Sequence, residues 1–298
     1  MSAPPKFPLL RLHHSAATTV RFAAAAAAAK SSASSPDPLP PELQLIADVR
    51  TPYNHIRVAD VSAAAAGFAH PLAGARLLLL DSRGGGDPLT STYLDVFATI
   101  PPLLPQSASS LAVLGFGAGS AARSILHFFP HLPSLHGWEI DPAVISVSRD
   151  FFDLAELEEQ HADRLFVHVG DAFHAEGVFG GVLVDLFANG SVLPELQEAS
   201  TWRRIGAMVA AGGRIMVNCG GPCVEAEEEE RDGEAVKEAT LGALMAAFGC
   251  EMVSVMEVDQ SWVAMTGPAV SPVMAAAWKG KLPPELRRYV DMWRPCSP

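Results

Sequence analysis

The residues best placed to do chemistry are three glycines and three carboxylates, each set behind a short strand-like run. Gly115, Gly117 and Gly119 follow Leu111–Leu114, Glu139 follows Leu135–Trp138, Asp171 follows Leu165–Val169 and Gly170, and Asp185 follows Val182–Val184. The short apolar run Leu111–Leu114 reads as a buried parallel strand. A glycine-rich turn at the end of such a strand lets the backbone approach a ligand with no Cβ in the way. Glu139 stands about 20 residues beyond the glycines, where an acidic side chain accepts hydrogen bonds from ribose hydroxyls. A dinucleotide fingerprint needs Gly or Ala in its third slot, which is Ser120 here. The G-x-G-x-G spacing instead suits a nucleoside without a pyrophosphate, such as S-adenosylmethionine.

With Ser91–Pro101, Leu77–Asp81 and Val184-Asp185, these pieces resemble the spermidine synthase branch of the S-adenosylmethionine-dependent methyltransferase superfamily, over roughly residues 42–266. The resemblance implies that Gly115, Gly117 and Gly119 form the floor under the methionine part of the cofactor. Glu139 then holds the ribose, Ile140 packs on the adenine, and Asp171 accepts from the adenine amino group beside Ala172. Asp171 has a second reading as a helix N-cap after its strand. Asp185 matches the catalytic aspartate, placed to orient an acceptor amine or take its proton. Tyr93 contributes a hydroxyl from the preceding helix, or is an ordinary packed tyrosine.

The chain departs from that family where a diamine would sit. Ala118 stands in the slot of an aspartate, Leu94 in that of a glutamine, and Ala188 in that of a second aspartate after Asp185. A doubly charged diamine without carboxylate partners is poorly stabilised. The expected function is therefore an S-adenosylmethionine-dependent, methyltransferase-like transferase with a degenerate diamine site. An aminopropyltransferase using decarboxylated S-adenosylmethionine and a non-catalytic nucleoside-binding or scaffold protein are the alternatives. The resemblance also implies a homodimer.

Positioning these residues takes an alternation of strands and helices. Helices are expected over Ser120–Phe129, Pro142–Phe152, Pro194–Ala210, Ala235–Phe248 and Pro284–Trp293. Further strands are expected at Arg214–Val217, Met252–Val258 and Trp262–Met265, with Gly212-Gly213 ending a helix. The order predicts an α/β fold, a Rossmann-like doubly wound and mostly parallel sheet of the class I methyltransferase type, closed by an antiparallel strand. Three runs, Leu43–Val49, His55–Ala59 and Leu77–Leu80, predict a small N-terminal β appendage. The expected domains are residues 1–41 (leader and linker), 42–104 (appendage and helix) and 105–298 (nucleoside-binding domain).

Among 298 residues, 49% are hydrophobic and the net charge is −12. Such a surface repels phosphate backbones, which excludes nucleic acid as substrate and suits a small-molecule or basic protein acceptor. The first 36 residues are rich in Ala and Ser and hold four basic and no acidic side chains. That composition predicts a transit peptide for a chloroplast, with mitochondrion and cytoplasm as alternatives. No stretch reads as a membrane span. The cysteines, and the His127/His131 pair interrupted by Pro130, form no metal motif, so no metal is expected. Glu225–Glu230 reads as a solvated acidic loop, and Ser82–Pro88 as a flexible loop near the mouth of the site.

Overall fold

The computed structural model describes residues 20–22, 43–62, 76–80, 92–188, 190–222, 224, 232–258 and 260–296. Both expected loops, 82–88 and 225–230, lie outside them, as does the expected leader apart from Val20–Phe22.

The N-terminal appendage is a four-stranded sheet in the order β1-β4-β3-β2. Its strands are β1 (Val20–Phe22), β2 (Leu43–Arg50), β3 (His55–Val61) and β4 (Arg76–Leu80). The three expected strands form an antiparallel meander, and β1, from within the expected leader, adds in parallel along Arg76–Leu78.

The core follows in alternation: α1 (Tyr93–Phe97), β5 (Leu111–Leu114), α2 (Ser120–Phe128), β6 (Leu135–Glu139), α3 (Pro142–Phe151), α4 (Leu154–Gln160), β7 (Leu165–Val169) and β8 (Phe179–Val184). A two-stranded hairpin, β9 (Phe187–Ala188) and β10 (Ser191–Val192), precedes α5 (Ala199–Ala207), β11 (Val209–Asn218), α6 (Gly233–Phe248), β12 (Val253–Val258) and β13 (Ser261–Thr266). The chain ends in α7 (Pro272–Lys281), a 3₁₀ segment Pro284–Met292 and β14 (Arg294–Pro295). Eight strands form the central sheet in the order β14-β12-β13-β11-β8-β5-β6-β7. Strands β7, β6, β5, β8 and β11 run parallel, and β13 is antiparallel to both its neighbours. The chain thus has the doubly wound α/β sheet that the alternation predicts.

Apolar side chains cover both sheet faces. Ile125 and Leu126 of α2, Ile145 of α3 and Trp278 of α7 pack on one face, and Trp202 and Ile205 of α5 with Val236 and Leu244 of α6 on the other. A third cluster joins Ile56, Val58 and Leu78 of the appendage to Ala118, Val144, Val147 and Phe152 of the core. Burying each large aliphatic side chain there contributes roughly 1.5–3 kcal/mol, which fixes the appendage against the glycine turn.

Three expectations need correction. The helix expected over Pro194–Ala210 divides into a 3₁₀ turn, Pro194–Gln197, and α5, and β11 already begins at Val209. Gly212-Gly213, expected to end a helix, lies inside that strand. A Cβ at Gly213 would stand 2.5 Å from the Gly180 carbonyl oxygen, so this glycine serves a close approach of β11 to β8 at a register shift, and Gly212 beside it takes a left-handed backbone with φ of 79°. The closing helix expected over Pro284–Trp293 is a 3₁₀ segment, and α4, α7 and β14 add elements beyond those expected.

Candidate active site

The ends of β5, β6, β7 and β8 meet at the carboxyl edge of the sheet, and every residue singled out there by spacing is brought to that edge. Gly115, Gly117 and Gly119 all have left-handed backbones, with φ of 87°, 55° and 79°. The amides of Gly115 and Phe116 donate to the Trp138 carbonyl at 3.0 and 2.8 Å, and the Asp185 amide to the Leu114 carbonyl at 2.8 Å. The turn is therefore stitched to strands on both sides. At Gly115 a Cβ would come 2.0 Å from the Asp185 carbonyl oxygen, whereas at Gly117 it would meet no protein atom within 4 Å. Close packing fixes the first glycine; the second faces open space.

Glu139 ends β6 and is 8% exposed. Its Oε2 accepts from the Gly117 amide and its Oε1 from the Asp141 amide, both at 3.0 Å. Burial raises its carboxyl above the ordinary range, and the amide donors oppose that rise. Ile140 beside it is 42% exposed, a large apolar side chain left at the surface next to the glycine turn. Asp171 caps the 3₁₀ turn Ala172–His174 through Oδ1, which accepts from the Phe173 amide at 2.9 Å, and pairs with His174 Nδ1 at 2.9 Å through Oδ2. Its capping reading is thus realised. Ala172 is buried.

Asp185 stands just past β8 between two donors. Tyr93 gives its hydroxyl to Oδ2 at 2.9 Å, and Asn218 its amide to Oδ1 at 3.1 Å. Burial pushes the carboxyl up to about 6, against both hydrogen bonds. Tyr93 thus points at the carboxylate rather than being merely packed. Asn218 is a residue that the sequence reading missed. It ends β11, and its side-chain Oδ1 accepts from the Gly220 amide at 3.1 Å, which fixes the orientation of the side-chain amide. A polar residue closing the apolar run Ile215–Val217 was the available signal.

Asp141 was also missed. At 1% exposed, it caps α3 through Oδ1, which accepts from the Ala143 amide at 2.9 Å. Its Oδ2 accepts from Thr51 Oγ1 at 2.5 Å and Asn54 Nδ2 at 2.9 Å, in the β2–β3 turn. The slots that lack acids are occupied differently. Ala118 is 1% exposed within the apolar cluster between appendage and core, and Ala188 lies in the β9–β10 hairpin, paired with Ser191.

No protein-family model matches the chain. The probable polyamine aminopropyl transferase of Bifidobacterium longum is 28% identical over 112 residues, which are 38% of this chain and 24% of that protein. The chain thus spans a minor part of that relative's length. Among solved structures, the spermidine synthase of Thermotoga maritima superposes with a TM-score of 0.57 at 13% identity, covering 81% of this chain and 76% of that one. A spermidine synthase in complex with the transition state analogue AdoDATO gives 0.58 at 13% identity, covering 81% and 77%. Human methyltransferase-like protein 13, in complex with SAH, gives 0.50 at 17% identity, covering 66% and 90%. The topology that these proteins share with the sheet above gives the chain the spermidine-synthase-like form of the S-adenosylmethionine-dependent methyltransferase fold.

Proposed function

We propose that this protein binds an S-adenosylmethionine-type nucleoside at the carboxyl edge of its sheet and transfers a carbon group from it to an acceptor held at Asp185. The observation that carries this reading is the Tyr93–Asp185–Asn218 group beside the glycine turn. An ordinary structural turn would need no partly buried carboxylate held by two neutral donors.

The residues fit such a nucleoside. Gly117 leaves its side of the turn open. Each carboxylate oxygen of Glu139 and Asp171 accepts from a protein donor, and lone pairs remain for a ribose hydroxyl or an adenine amino group. Ile140 offers an exposed apolar surface for a flat base. A bound sulfonium supplies a carbon activated by a good leaving group. Asp185, ionised above about pH 6, accepts the proton that an amine acceptor must lose, while Tyr93 and Asn218 keep the carboxylate aimed.

Methyl transfer is the primary reading, because the slots for two further carboxylates are Ala118 and Ala188. Aminopropyl transfer from decarboxylated S-adenosylmethionine is the second, and the names of the similar proteins favour it. Calorimetry with both nucleosides tests the reading. Preference for S-adenosylmethionine supports methyl transfer, preference for the decarboxylated form supports aminopropyl transfer, and binding of neither removes the proposal.

A further inference from the structure

Tyr93 reaches Asp185 from α1, a helix of five residues. One turn and a half of helix is marginal in water and cannot fix a side chain by itself. Two polar contacts from the carboxyl-terminal segment hold it. The Tyr289 hydroxyl donates to Asp95 Oδ2 at 2.8 Å, while Arg288 donates to the Tyr289 oxygen at 2.6 Å and stands 3.7 Å from the same carboxylate. Trp278 of α7 donates its indole N–H to the Thr99 carbonyl, just past the helix, at 2.8 Å. Trp278 and Tyr289 are 2% and 3% exposed; the indole bond is shielded from water, and the hydroxyl bond is buried at its Tyr289 end. Inside α1, Phe97 is fully buried and meets the Tyr93 ring edge-on, with centroids 5.5 Å apart.

We infer that the carboxyl-terminal segment is a strap that sets the position of α1, with Tyr289 and Trp278 as positioning residues that hold the Tyr93 hydroxyl on Asp185. Leu286, Val290 and Trp293 share an apolar cluster with Val96 and Phe97 of α1, and apolar packing is non-directional, so it does not by itself choose a rotation of the helix. The hydroxyl and indole bonds select one. The catalytic meaning of the strap rests on the transferase reading above; its geometry does not.

The strap has a signature that simple anchoring lacks. Tyr93 donates to the ionised carboxyl and so holds its pKa down against burial, as Asn218 does from β11. No charged side chain of the described residues contributes to that balance. Loosening α1 lengthens the Tyr93 bond and moves the Asp185 titration to higher pH.

The test is a carboxyl carbon NMR titration of the full chain without ligand, with the Asp185 signal assigned by its absence in Asp185→Asn. Tyr93→Phe should move the Asp185 midpoint up by about one pH unit, the equivalent of one hydrogen bond to a charged group. Tyr289→Phe keeps the ring and removes only the hydroxyl; it should move the midpoint the same way by about half as much. The double variant should match Tyr93→Phe alone, because Tyr289 acts only through Tyr93. Asp95→Asn, which still accepts from Tyr289, should stay near the wild-type midpoint. Asp95→Ala breaks the same bond from its half-exposed end and serves if Tyr289→Phe does not fold. An unchanged midpoint in Tyr289→Phe or Asp95→Ala overturns the inference, whatever happens to thermal stability, and so does additivity in the double variant. Calorimetry with S-adenosylmethionine on the same samples keeps the two readings apart. A chain that binds no nucleoside but shows these shifts loses the transferase reading and retains the strap.

Discussion

Gly115 and Gly117 stand two residues apart in one turn, and the structure assigns them different reasons for being glycine. An alanine at Gly115 would put its Cβ 2.0 Å from the carbonyl oxygen and 2.7 Å from the carbonyl carbon of Asp185. Both atoms are backbone, so no side chain can swing aside. Either the turn or the end of β8 must move, straining the 2.8 Å bond from the Asp185 amide to Leu114 and the packing of Leu114 and Val184, which are both fully buried. The left-handed backbone adds about 1–2 kcal/mol, the hydrogen bond about 1 and the overpacking about 1–3, giving a loss of about 4 kcal/mol. An alanine at Gly117 meets only the left-handed penalty, about 1–2 kcal/mol, or a fall of about 2–8 °C in Tm. Its methyl would project into the space proposed for the nucleoside, and S-adenosylmethionine should bind at least about tenfold more weakly, 1.4 kcal/mol or more. Urea unfolding measures the first effect and calorimetry the second. Wild-type affinity in Gly117→Ala would refute the turn as a ligand floor. A Gly115→Ala protein no less stable than Gly117→Ala would refute the close approach.

Four other expectations can be checked, three with single variants and one with the unaltered protein. Glu139→Ala should weaken S-adenosylmethionine binding by about 1.5–3 kcal/mol. A strand-end acid read from sequence alone is expected to leave unliganded stability unchanged, but here the loss strands two amide donors, so urea unfolding should also fall by about 1–3 kcal/mol. Asp185 has a folded pKa of about 6, above its ordinary 3.8, so its contribution to stability declines as pH rises through that window. Asp185→Asn should lose this decline and gain up to about 3 kcal/mol over wild type at pH 7.5; parallel stability curves for the two proteins between pH 4 and 8 would contradict it. With decarboxylated S-adenosylmethionine and putrescine the protein should form no spermidine, and a turnover of about 1 s⁻¹ would sink that expectation. Ala118→Asp should destabilise by more than about 3 kcal/mol rather than create a diamine site, because residue 118 is packed among Ile56, Val58 and Val144.

The legible parts of this chain were those where one local signal and the tertiary role agree. Leu111–Leu114 and the start of α3 at Pro142 fall where the sequence places them, because a fully buried parallel strand is continuously apolar and proline suits a first helical turn. Glycines misled where they permit close contact between strands. Gly212 and Gly213 read as a helix stop but lie in β11, where a Cβ at Gly213 would stand 2.5 Å from the Gly180 carbonyl oxygen of β8. Within the candidate site, strand-end acids were legible by period. Asn218 and Asp141 were not, since their partners are 33 and up to 90 residues away and nothing local marks those distances.

Asp141 joins two parts of the molecule that a chain diagram would draw separately. One of its oxygens caps α3, directly after the Glu139–Ile140 edge, and the other holds Thr51 and Asn54 of the appendage. Two events that share one clamp share one free energy. If occupancy at Glu139 orders that short loop, it tightens the hairpin, and docking of the hairpin tightens the nucleoside by the same factor. The appendage is then a thermodynamic partner of the ligand rather than a cover over it, and a change at Thr51 or Asn54 would be felt as a change in affinity at a site that neither side chain touches.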